Sequence, residues 1–100
     1  MTEVNKKIKV SGKQVTAARD LLGITQAELA EAAELSKDTI FKFEAGKQTP
    51  HTRSLDKIVS ELNRRGIEFT NGSGVGVRLN YEKAAEYARG ATQPRNGQDS

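Results

Sequence analysis

The chain has no cysteine and no tryptophan, one histidine and two prolines. Without cysteine, neither a disulfide framework nor a thiolate metal site can form. A lone histidine, His51, is too little for a metal centre or histidine-based catalysis. Only five of 100 residues are aromatic, so the core must come from Leu, Ile, Val and Ala, a palette suited to short packed helices. No apolar run approaches the ~20 residues of a membrane span. Lys6, Lys7 and Lys9 near the start are not followed by the apolar stretch of a secretory leader, which points to a cytoplasmic protein. There is no carboxylate pair, nucleophile signature or internal repeat. The segment Gly72-Ser73-Gly74-Val75-Gly76 fails the G-x-G-x-x-G spacing of a nucleotide loop. An enzyme is therefore not expected, and neither is a cofactor or a bound metal.

A length of 100 residues suits one domain rather than two. Lys and Arg outnumber Asp and Glu by 16 to 13. That excess permits a nucleic-acid partner without demanding one. Placement says more. Glu28, Glu31 and Glu34 make the stretch before Leu35 acidic. After it, Lys37, Lys42, Lys47 and Arg53 meet only Asp38 and Glu44. A polyanion would prefer the second stretch.

Residues 1–10 are polar, with Ile8 and Val10 alternating with lysines, as in a short strand or a frayed arm. Ser11 and Gln14 form a capping box that starts a helix, Val15, Ala18, Leu21 and Leu22 supply its apolar face, and Gly23 stops it. Thr25 and Glu28 form a second capping box for a short helix with Leu29, Ala32 and Ala33 inward. Leu35 should plug the core, and Ser36 caps a third helix ending at Gly46. Beyond Pro50, Thr52 is expected to cap a fourth helix. Its Leu55, Ile58, Val59 and Leu62 recur at i, i+3, i+4 and i+7, and Gly66 ends it, with Arg64 and Arg65 suiting the helix dipole. The apolar period then becomes two. Ile67 and Phe69, then Val75, Val77 and Leu79, flank the turn Asn71-Gly72-Ser73-Gly74 and predict a β-hairpin pairing Phe69 with Val75 and Ile67 with Val77. Asn80 caps a last helix expected to end before Gly90. Residues 91–100 have the composition of a disordered tail.

The stretch from Gln26 to Glu44 has the spacing of a helix-turn-helix. Ala30 is the small residue at the helix crossing, and Leu29, Ala33, Leu35, Ile40 and Phe43 are its inward positions. Between residues 15 and 62, Ala18-Arg19, the run Leu22-Gly23-Ile24-Thr25-Gln26-Ala27-Glu28-Leu29-Ala30, Leu35-Ser36, Thr39-Ile40, Phe43-Glu44-Ala45-Gly46, Pro50, Leu55 and Leu62 carry a specific resemblance. On these residues the chain resembles the lambda-repressor-like, Cro/XRE-type transcriptional regulators. One departure is Glu34, at a turn position usually held by glycine. The hairpin segment, residues 67–79, is also similar to a subgroup whose fourth helix leads into a Gly-Val-Glu-Phe type strand and a Gly-Val-Arg-Leu type strand.

The resemblance implies a mainly α, lambda-repressor-like bundle of four to five helices with a C-terminal β-hairpin. Residues 1–10 would be an arm or short strand, 11–66 the helix-turn-helix domain, 67–90 the hairpin, short helix and dimerisation region, and 91–100 the tail. Double-stranded DNA is the implied partner. Gln26 would bond a phosphate and brace the recognition helix, Ser36 would cap it, and Lys37, Asp38, Phe41 and Lys42 would face base edges. The loop with Lys47, Gln48 and Thr49 would offer backbone N–H groups and a basic side chain to phosphate. Phe41 suits a thymine methyl, since Ile40 and Phe43 already fill the inward face. Asp38 either accepts from a cytosine amino group or restrains Lys42 at i+4. The resemblance also implies a structural ion pair between Arg19 and Glu44. The expected function is sequence-specific regulation, a repressor acting as a homodimer on a palindromic operator, with Ile67, Phe69, Val75, Val77 and Leu79 at the dimer interface. The competing reading is an antiactivator or antitoxin-like adaptor that binds another protein.

Overall fold

The structure is a computed structural model and describes residues 9–92. Four helices come first. Helix α1 spans Gly12–Leu22, α2 Gln26–Ala33, α3 Lys37–Glu44 and α4 Thr52–Arg64. Strands β1, Ile67–Thr70, and β2, Gly76–Leu79, form an antiparallel hairpin, and α5, Tyr81–Thr92, closes the described chain.

Local chemistry accounts for most boundaries. Ser11 Oγ accepts from the Gln14 N–H at 3.2 Å, and Gln14 Oε1 accepts from the Ser11 N–H at 2.9 Å. Thr25 and Glu28 repeat the reciprocal pair at the start of α2. Helix α1 ends at Gly23 in the left-handed region, φ 71°. Helix α2 ends the same way on Glu34, φ 61°. A side chain in that region is strained, so the helix-turn-helix turn is made here without glycine.

Val15, Ala18, Leu29, Ile40, Ile58 and Leu62 are fully buried at the junction of α1–α4, with Leu35 and Leu55 packed around them. Each fully buried Leu or Ile contributes roughly 1.5–3 kcal/mol, so this junction, rather than the propensity of eight-residue helices, holds α2 and α3 in place. Ile67 extends the core into the hairpin, at 1% exposure.

Three expectations need correction. Helix α4 begins one residue early: His51 occupies the cap position and makes no side-chain cap bond, while Thr52 is already helical. The strand register is shifted by two. Ile67 faces Leu79, and Phe69 faces Val77, which leaves Val75 in the loop at 68% exposure. A shift of two preserves which face each paired side chain occupies, so Ile67, Phe69, Val77 and Leu79 keep their inward positions and Val75 alone leaves the core. Helix α5 runs through Gly90 to Thr92 instead of stopping short, because an interior glycine costs only about 1 kcal/mol and does not by itself end a helix. Asn80 does cap α5, its Oδ1 accepting from the Lys83 N–H at 3.1 Å. Ile8 and the tail beyond residue 92 lie outside the described residues.

Candidate nucleic-acid interface

Helix α3 has two faces. Ile40 and Phe43 are buried against the core, whereas Lys37, Asp38 and Phe41 are exposed and Lys42 is half-exposed. Phe41 is 49% exposed, so its ring is offered outward rather than packed. Ser36 Oγ accepts from the Thr39 N–H at 3.1 Å and also meets Thr39 Oγ1 at 2.9 Å, which fixes the N-terminal end of the helix. Lys42 Nζ lies 3.1 Å from Asp38 Oδ2, one turn away. Asp38 and Lys42 thus form an i, i+4 ion pair on the exposed face of α3.

The orientation of α3 is set at its other end. Arg19, from α1, donates through Nε to Glu44 Oε2 and through a terminal nitrogen to Glu44 Oε1, both at 2.7 Å. Its remaining nitrogen donates to the Ile24 carbonyl at 3.0 Å. Gln26, at the start of α2, donates to Glu44 Oε1 at 3.0 Å. Glu44 thus ties α1, α2 and α3 together, with 5% of its side chain exposed and 14% of that of Arg19. Burial pushes the Glu44 carboxyl up, but hydrogen bonds from Arg19, Gln26 and Thr16, with the Arg19 charge, outweigh it and hold the group below its ordinary value. Gln26 spends one amide hydrogen on this brace.

The loop after α3 uses part of its backbone to end the helix. The Gly46 N–H donates to the Phe43 carbonyl, and the Lys47 and Gln48 N–H groups both donate to the Lys42 carbonyl. These three N–H groups are spent on ending the helix, and the side chains of Lys47, Gln48 and Thr49 are all exposed. The hairpin residues divide as well. Ile67 is buried, Phe69, Val77 and Leu79 pack against the chain's own core, and Val75 alone points clear of it.

Sequence reasoning missed two polar sites. Gln14 is 3% exposed and reaches from α1 to the end of the hairpin. Its apolar-face spacing, four residues before Ala18, was the available signal. Glu61 is 7% exposed and accepts from Arg65 Nε at 2.6 Å and from Arg64 at 2.9 Å. Both guanidinium groups sit 4.9 Å from the centre of the Tyr87 ring, which joins α5 to α4. The pattern Glu-x-x-Arg-Arg carried that information at i+3 and i+4. Among the described residues no His, Cys, Asp or Glu cluster is placed to hold a metal ion, and no helix is long and apolar enough to cross a membrane.

Comparison with known proteins places this geometry. A family model described as helix-turn-helix matches residues 15–69, more than half of the chain. A protein of Methanococcus vannielii, provisionally named an HTH-type transcriptional regulatory protein, is 31% identical over 83 residues, covering 79% of this chain. The chain spans only 25% of that relative's length. From the matched span, together with α2, the Glu34 turn and α3, the chain belongs to the helix-turn-helix family of the Cro/XRE type.

Proposed function

We propose that the protein is a sequence-specific DNA-binding transcriptional regulator, a repressor that binds a palindromic operator as a homodimer. The observation that carries this is the outer face of α3: Lys37, Phe41 and Lys42 point away from a core that Ile40 and Phe43 fill, on a helix clamped at Glu44. A helix so presented fits a major groove about 12 Å wide. The named function of the Methanococcus vannielii relative agrees with it. Lys37 or Lys42 bonds a guanine edge, Phe41 meets a thymine methyl, and Gln26, Lys47, Gln48 and Thr49 hold the flanking phosphates. Repression needs nothing beyond occlusion of the site.

One recognition helix reads too few base pairs for useful specificity, so two copies act together. The hairpin's inner face is taken by its own helices, but each strand pairs on one side only. An unpaired strand edge is a template for another chain, and a second copy makes the contact twice about a two-fold axis. The edge and the exposed Val75 end therefore join the subunits, with recognition helices ~34 Å apart. The test is to incubate the purified chain with a random duplex pool and sequence what is retained. A palindromic motif is expected. Retention without any enriched sequence, at low salt only, would refute the regulator reading.

A further inference from the structure

The first turn of α1 touches both functional ends of the molecule. On one side, Gly12 lies against the end of α3 so closely that a Cβ there would sit 2.0 Å from the Phe43 carbonyl oxygen and 2.9 Å from Glu44 Cα. That space admits only glycine. On the other side, the Gln14 side chain donates both amide hydrogens into the hairpin, to the Thr70 carbonyl at 3.1 Å and the Gly76 carbonyl at 3.0 Å. Thr70 and Gly76 are the last pair of the ladder. Its oxygen accepts from the Ser11 N–H, so every strong hydrogen-bonding group of the amide is bound within this chain. A buried amide held at three points is rigid in a way that an apolar contact is not, because any rotation leaves a buried donor or acceptor unpaired. The recognition helix and the hairpin are thus linked through three consecutive residues, 12–14, by contacts that tolerate little movement.

We propose that residues 12–14 are the coupling that fixes the angle between the recognition helix and the hairpin, with Gln14 the positioning residue that sets the spacing of half-sites the dimer accepts. The inference rests on the dimer reading above. If two copies join at the hairpin, the distance and phase between their recognition helices are inherited from this turn. One base pair of DNA advances the groove by about 3.4 Å and turns it by roughly a tenth of a helical repeat. A small change of angle within each subunit is doubled by the two-fold axis, so spacing preference reads the coupling sensitively.

The experiment measures binding of the full chain to the selected operator, to versions with one base pair inserted or deleted between half-sites, and to a single half-site. Wild type, Gln14→Met and Gly12→Ala are compared, with thermal melting of each. Wild type should prefer one spacing by about tenfold, which is about 1.4 kcal/mol. Gln14→Met should keep its single half-site affinity while its spacing preference shrinks below about threefold, under 0.7 kcal/mol or so. Gly12→Ala, which forces α1 away from α3, should move the preferred spacing instead of flattening it. Should Gln14→Met not fold, Gln14→Glu keeps the acceptor to Ser11, loses the paired donors and is read the same way. Variants that retain the wild-type preference, or that lose half-site and full-site binding in the same proportion, overturn the inference while leaving the dimer reading intact. A wild type indifferent to spacing overturns both.

Discussion

Replacing Arg19 by methionine removes the cation from the junction where three helices meet while keeping most of its apolar stem. Three hydrogen bonds go with it: two to Glu44 and one to the Ile24 carbonyl. What remains is a carboxylate with 5% of its side chain exposed, bonded by the Gln26 amide. Removing one partner of a buried pair costs about 3–5 kcal/mol. The 14% exposure of Arg19 lets some water approach, which favours the lower end, about 3 kcal/mol. For a domain of this size each kcal/mol moves the melting midpoint by about 4–8 °C, so Arg19→Met should melt roughly 12–24 °C lower. The decisive comparison is the double variant Arg19→Met/Glu44→Leu, followed by circular dichroism against temperature at pH 7. With no charge left to desolvate, it should be more stable than Arg19→Met alone, because an apolar pair of similar volume replaces a buried ion pair at little cost. Melting of Arg19→Met within about 2 °C of wild type would show that the pair is not structural. A double variant less stable than the single would show that the loss comes from packing of the arginine stem and not from the orphaned carboxylate.

The same carboxyl gives a pH signature. Its value is depressed in the folded protein, so its contribution is present above the ordinary glutamate range of about 4.3 and is lost as pH falls through that range and below it. The melting gap between wild type and Glu44→Gln should be widest near neutrality and close on the acid side; a gap constant with pH contradicts the assignment. On α3, Lys37→Ala and Lys42→Ala should each weaken operator binding by ~1–3 kcal/mol if the lysine reads a guanine, with melting unchanged in both, and wild-type affinity in both would remove this face as the reader. At the hairpin, Val75→Asp alters a side chain that packs on nothing in its own core, so sedimentation should find the dimer weakened about tenfold, roughly 1.4 kcal/mol, with the same subunit fold. An unchanged dimer would move the interface elsewhere.

Much of the architecture can be read from punctuation in the chain. Ser11 with Gln14, Thr25 with Glu28, and Ser36 each mark a helix start that the structure uses, and Gly23 and Gly46 mark stops in the left-handed region. The inward positions of α2 and α3 follow from the 3.6-residue period. The strand register does not follow from its period. A two-residue alternation is satisfied equally by Phe69 opposite Val75 or Val77, and only the preferred loop distinguishes them. The length of α5 was hidden because Gly90 looks like a stop yet costs too little to act as one. The partners of Gln14 were hidden for a different reason. The spacing of Gln14 to Ala18 could mark it as inward and the Glu-x-x-Arg-Arg pattern could pair Glu61, but the hairpin carbonyls that hold Gln14 lie 56 and 62 residues away and no local pattern names them. The loop after α3 shows the converse: exposed side chains were readable, but the closure of the Lys47 and Gln48 N–H groups onto the Lys42 carbonyl depends on how the helix end unwinds.

Asp38 has a consequence for how such a protein would search a genome. Lys42 carries its own counter-ion, held one turn away on the same face. The outer surface of α3, from Lys37, Asp38 and Lys42, therefore presents a net charge of a single cation to the phosphates. Attraction to DNA of any sequence grows with the number of phosphates neutralised, each adding about 0.9 to the slope of log affinity against log salt. An internally compensated lysine adds little to that background grip. On the proposed reading, at a matching base edge the lysine would exchange the carboxylate for a guanine, while Asp38 would be left facing whatever lies beside it and would penalise a poor fit. On that reading, a recognition helix built this way would give up general stickiness, and a larger share of what affinity it has would depend on sequence.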